Sequence, residues 1–123
     1  VAHDLVECNQ DVKYVHLKGP DEPGHDHDPQ GKIDAIERID YFFINELIKG
    51  LTDDDIVIVT CDHATPCELG IHSCDKVPLL ICGKGIPMDK QTKFSEKNAS
   101  LGGCKVARAI DILQFIHELY VLK

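Results

Sequence analysis

The sequence predicts an α/β fold in which a mostly parallel sheet carries helices on its faces. Three observations lead there. Segments rich in β-branched residues alternate with segments of helical apolar spacing. Asp55-Ile56-Val57-Ile58-Val59-Thr60 is nearly continuous in apolar residues, as a strand buried on both faces would be. Carboxylates and imidazoles gather directly after predicted strands, where sheets of this kind bind ligands.

In chain order, residues 1–9 read as the tail of a helix with Val1, Leu5 and Cys8 on one face. A strand is predicted over 13–18, where Tyr14, Val15, His16 and Leu17 supply bulk and branching, and Gly19-Pro20 ends it. Asp28-Pro29 starts a helix, Asp as the cap and Pro at the first helical position. Ile33, Ile36, Ile39, Phe43 and Leu47 continue it at helical spacing, and Gly50 closes it. The strand over 55–60 follows. Residues 77–82 make a third strand, with Pro78 near its start, where a missing N–H is tolerated. Residues 83–103 read as a long loop with a short extended piece. A last helix runs from about 105 to 122, with Val106, Ala109, Ile110, Leu113, Ile116 and Tyr120 on one side. Three strands are few for such a sheet, so the chain reads as a partial domain with an unpaired edge.

The 123 residues suffice for one compact unit. A net charge of −8 disfavours nucleic acid as a partner, since a phosphate backbone is held by Lys and Arg. No apolar run approaches the ~18 residues that span a membrane, and no secretory leader pattern opens the chain. The start at Val1-Ala2-His3, without an initiator Met, is compatible with a partial chain. Six cysteines occur without a CxxC pair, which disfavours a zinc ribbon. They are expected to be mainly reduced, buried or half-buried residues of a cytoplasmic protein, with a disulfide left open.

The candidate ligands fall in three groups. Asp21 and His25 follow the first predicted strand as a D-x-x-x-H pair; Asp62 and His63 follow the second; His72 lies in the loop leading to the third. Each group alone is weak, because a solvated acidic loop or a turn-capping histidine would look the same. Together at one end of adjacent strands they point to a divalent metal, for which mixed carboxylate and imidazole sets are suited.

These residues lie in recognisable motifs. Val15-His16-Leu17-Lys18-Gly19-Pro20-Asp21-Glu22-Pro23-Gly24-His25-Asp26 resembles the V-H-x-K-x-x-D-E-x-G-H-D signature of archaeal-type, 2,3-bisphosphoglycerate-independent phosphoglycerate mutases, members of the alkaline-phosphatase superfamily. Thr60-Cys61-Asp62-His63-Ala64-Thr65-Pro66-Cys67 resembles their T-x-D-H-S-T-P-C segment, and His72-Ser73-Cys74-Asp75-Lys76-Val77-Pro78 their H-S-x-D-x-V-P segment. Phe94-Ser95-Glu96 and residues 109–113 follow the family's C-terminal order.

The resemblance implies a three-layer alkaline-phosphatase-like fold, with residues 1–123 forming the C-terminal part of the metalloenzyme domain. It implies two divalent metal ions (Mn, Zn, Co or Mg) and no bisphosphoglycerate. Asp21, His25 and His72 correspond to ligands of one metal, and Asp62 and His63 to ligands of the other. The implied reaction interconverts 2-phosphoglycerate and 3-phosphoglycerate, in glycolysis or gluconeogenesis, through a phosphoserine. The nucleophilic serine and a substrate-binding insertion are expected in an N-terminal part absent from this chain. The partners expected are therefore phosphoglycerate and the remainder of the same polypeptide, and the chain alone is expected to be inactive.

Some positions depart from the family pattern. His27 stands for a glycine and Ala64 for a serine, and the region 102–105 lacks the usual arginines, which puts anion binding there in doubt. Ser73 is the only serine beside a candidate ligand and a poor stand-in for the nucleophile. Two other readings stay open: another phosphatase or phosphotransferase of the superfamily, and a non-catalytic metal-binding subdomain.

Overall fold

The computed structural model describes residues 2–104 and 106–121, and side chains as far as residue 119. It divides into two units, 1–52 with 63–75 and 53–62 with 76–123.

The first unit is helical. Helix α1 spans Ala2–Glu7, α2 Asp21–His25 and α3 Pro29–Ile39; a π-helical stretch, Asp40–Ile44, leads into α4, Asn45–Gly50. The predicted start of α3 holds: Asp28 accepts a hydrogen bond from the Gly31 N–H at 2.9 Å, and Pro29 takes the first position. Gly50 ends the helix as predicted, yet its value lies elsewhere. A Cβ there would sit 2.4 Å from Val6 Cγ2, so only glycine lets α1 lie this close to α4. Ile39, Phe43 and Leu47 are half-buried as the periodicity requires, whereas Ile33 and Ile36 are exposed.

Two sequence expectations fail in this unit. Residues 13–18 form no strand. Asp21–His25, read as loop, is a helical turn.

The second unit holds a sheet of two strands, β1 (Ile56–Thr60) and β2 (Leu79–Gly83). They pair antiparallel, Ile58 opposite Ile81, which corrects the mostly parallel sheet expected for these residues. A parallel neighbour needs a crossover of a dozen or more residues, usually a helix. The connecting residues 61–78 contain no helix. β1 is half-buried rather than covered on both faces. β2 begins one residue after Pro78, whose carbonyl accepts from Thr60 Oγ1 at 3.0 Å.

Helix α5, Glu96–Leu101, lies inside the predicted loop, capped by Ser95, which accepts from the Asn98 N–H. A 3-10 turn, Ala109–Asp111, leads into α6, Ile112–Val121. The predicted helix face therefore starts later than expected; its ends at Lys105 and Leu122, the Tyr120 side chain and Val1 in the first helix lie outside the described residues. No described helix is long and apolar enough to cross a membrane.

Cys8, Cys61, Cys74 and Cys82 are exposed rather than buried, and Cys67 and Cys104 are half-buried. Among the described residues, Ala2, Thr65 and Ile112 are the only buried ones other than glycines and a proline. The apolar faces of this chain are mostly uncovered by the chain itself.

Candidate metal centre

The D-x-x-x-H spacing acquires its meaning from α2. Four residues apart on one turn, Asp21 and His25 project from the same face. The third group arrives through a backbone bridge between Ala64 and Ser73, in which the Ser73 N–H donates to the Ala64 carbonyl at 2.9 Å. That bridge sets residues 63–65 beside 72–73, and their side chains reach the end of α2.

Asp21, His25 and His72 converge there. The two Nε2 atoms are 3.1 Å apart, and Asp21 Oδ1 lies 3.5 Å from the first and 3.6 Å from the second. A triangle with these sides has a circumradius of about 2.0 Å, which matches zinc–nitrogen and zinc–oxygen bond lengths. All three residues are exposed in this chain.

Hydrogen bonding decides what the three atoms offer. His25 Nδ1 lies 2.8 Å from the Gly70 carbonyl, which can only accept, so Nδ1 carries a hydrogen and the neutral ring presents its lone pair at Nε2. This is the orientation that metal-bound histidines adopt. The Asp21 carboxyl is held below the usual carboxylate range, chiefly by the Thr65 hydroxyl; burial opposes this, and His25, His63 and His72 add to it. Asp21 is thus an ionised acceptor. Acceptors facing one another this closely require a proton or a cation between them, and the donor set fits a divalent transition ion.

His63 stacks on His72, ring centres 3.7 Å apart, and its Nδ1 is 4.0 Å from Asp21 Oδ1. Asp62 is exposed and belongs to the second unit. His27 lies outside the Asp21–His25–His72 group. At φ 54°, it turns its Nδ1–H to the Cys67 carbonyl at 2.6 Å and holds the loop that carries Gly70. Ser73 donates its hydroxyl to Asp75 at 2.7 Å. In the second unit the Gly103 N–H donates to Asp89 Oδ2, so a carboxylate of the chain already occupies that amide.

Sequence reasoning missed Thr65. It is 4% exposed, and its hydroxyl lies 2.6 Å from Asp21 Oδ1 and 3.2 Å from His63 Nδ1. Its carbonyl accepts from Lys32 Nζ at 2.6 Å and packs against Gly24, where a Cβ would come within 2.7 Å. The available signal was the two-residue spacing from His63, which puts both on one side of an extended segment.

Residues 2–114 match the model of the Metalloenzyme superfamily. The chain is 41% identical over 121 residues to a 2,3-bisphosphoglycerate-independent phosphoglycerate mutase of Pyrococcus furiosus, covering 96% of this chain and 29% of that protein. It is 49% identical over 98 residues to the protein of that name from Aeropyrum pernix, covering 77% of this chain and 21% of that one. The solved PH0037 protein from Pyrococcus horikoshii superposes with a TM-score of 0.86 at 37% identity, over 96% of this chain and 36% of that one. The chain thus spans between about a fifth and a third of the lengths of these relatives, and its architecture fits part of an alkaline-phosphatase-like fold. On the match over residues 2–114, this chain belongs to the Metalloenzyme superfamily.

Proposed function

We propose that this chain is the C-terminal, metal-holding part of a cofactor-independent phosphoglycerate mutase. In this reading the enzyme interconverts 2- and 3-phosphoglycerate in the cytoplasm without bisphosphoglycerate. The observation that carries the proposal is the triangle of Asp21, His25 and His72, found in a chain similar to proteins of that name. Asp21, His25 and His72 hold one divalent ion, manganese, zinc, cobalt or magnesium, and Asp62 with His63 contributes two ligands to a second. Bound metals of this kind clamp the attacking and leaving oxygens of a transferring phosphoryl group and lower the nucleophile's pKa.

The chain's own residues prepare that chemistry. The Gly70 carbonyl keeps the hydrogen of His25 on Nδ1, and the bridge at Ser73 holds His72 against the end of α2. The attacking serine and the substrate-gripping insertion come from sequence outside this chain. The phosphoryl group passes to that serine and then to the neighbouring hydroxyl of glycerate.

The test supplies 3-phosphoglycerate and a divalent metal and couples 2-phosphoglycerate to enolase. This chain joined to a serine-bearing N-terminal part turns over, the 123 residues alone do not, and His25→Ala with His72→Ala abolishes turnover. Release of free phosphate without 2-phosphoglycerate would reassign the protein as a phosphatase.

A further inference from the structure

The buried hydroxyl between the two candidate ligand groups has a role of its own. Thr65 Oγ1 has one hydrogen and two acceptor positions. The 2.6 Å contact to Asp21 Oδ1 takes that hydrogen, Thr65 Oγ1 donating. The contact to His63 Nδ1 at 3.2 Å must then run the other way, with Nδ1–H donating to Oγ1. In the neutral ring this tautomer leaves the lone pair on Nε2. We propose that Thr65 is a positioning residue that sets, through one hydroxyl, both the Asp21 carboxylate and the tautomer of His63, and so ties the two ligand groups together.

Three features keep the hydroxyl in place. Its side chain is buried while Asp21, His25 and His72 are exposed. Its backbone is fixed by Lys32, the Gly24 contact and the neighbouring Ala64–Ser73 bridge. Threonine is stiff about χ1, so the hydroxyl holds one direction once the methyl is packed.

The inference deepens the metal reading above and rests on it for its meaning, so the experiment has one arm that needs no metal. In the metal-free full chain at alkaline pH, nitrogen-15 spectra of the histidine rings report the tautomer of His63. Wild type and Thr65→Ser show the hydrogen on Nδ1, and Thr65→Val moves the population toward Nε2–H. In the second arm, cobalt(II) affinity falls about 10–100-fold in Thr65→Val and stays within about threefold in Thr65→Ser. If Thr65→Val fails to fold, Thr65→Ala replaces it in the same comparison. A Val or Ala variant with unchanged tautomer and affinity overturns the proposal. So does a Ser variant as impaired as Val, since the methyl and not the hydroxyl would then be at work. Failure of wild type to bind cobalt would sink the metal reading, while the tautomer arm still decides the role of Thr65.

Discussion

Replacing Gly24 by alanine sets a methyl group against backbone that has no room to yield. Its Cβ would lie 2.7 Å from the Thr65 carbonyl oxygen and 3.1 Å from both Lys32 Nζ and Thr65 Cγ2. Lys32 can swing aside, but the carbonyl belongs to a segment held by its bridge to Ser73. Ordinary contact begins at 3.4 Å, so α2 and Thr65 must part by about 0.7 Å. Carried into the Asp21–Thr65 hydrogen bond, that displacement stretches 2.6 Å toward about 3.3 Å, beyond hydroxyl hydrogen-bond range. Overpacking of this kind costs about 1–3 kcal/mol, and helix preference for alanine offsets about 0.5–1 kcal/mol. The net loss centres on about 1 kcal/mol, or roughly 4 °C in Tm at about 4 °C per kcal/mol. Thermal unfolding of Gly24→Ala and Gly103→Ala is the assay. A Cβ at Gly103 meets nothing closer than 3.6 Å, so that control stays within about 0.5 kcal/mol of wild type. A Gly24→Ala protein that melts with wild type and binds metal as tightly would refute the reasoning.

Other perturbations have equally definite outcomes. Asp28→Ala removes the cap of α3 and lowers stability by about 1 kcal/mol in a denaturant titration, with Asp28→Asn or Asp28→Ser recovering most of it. Arg108 pairs with Asp111 through two contacts of 2.8 Å, and hydrogen bonding to Arg108, then its charge, keeps the Asp111 carboxyl below its usual range. Because that folded-state value is depressed, the pair's contribution is present above the ordinary carboxylate range and disappears as pH falls through the lowered one. The pair is solvent-exposed, so Asp111→Asn changes Tm little near neutrality, and less still in high salt.

Helix starts were legible because their signals are local. Asp28-Pro29 names a cap and a first residue, and the structure uses both. Ser95 and Asn98 carry a similar signal for α5, hidden by the polar character of 96–101. Helix α2 was illegible because Pro23 and Gly24 sit within a five-residue turn; only contact with Thr65 shows why glycine stands there. Strand direction is a tertiary property: Ile-Val-Ile-Val reads the same in either sheet. Tyr14-Val15-His16-Leu17 has strand composition, yet it forms no strand among the described residues.

The candidate site divides in the same way. Asp21, His25 and His72 were readable from residue type, spacing and family motif, and they meet as a triad. His63 and Asp62 are adjacent in sequence, but only His63 belongs to the unit that contains the triad. Thr65 and the Gly70 carbonyl escaped notice because a hydroxyl and a backbone oxygen become informative only when their partners are known.

Titration of the protein with cobalt(II), wild type against the His25→Ala/His72→Ala pair, tests the central claim most directly. Two imidazole nitrogens and one carboxylate oxygen on a triangle of about 2.0 Å circumradius are expected to bind one ion tightly. Removing two of the three ligands should abolish that site while leaving the circular dichroism of the helices unchanged. A double variant that binds cobalt as well as wild type would show that Asp21, His25 and His72 are not the metal centre.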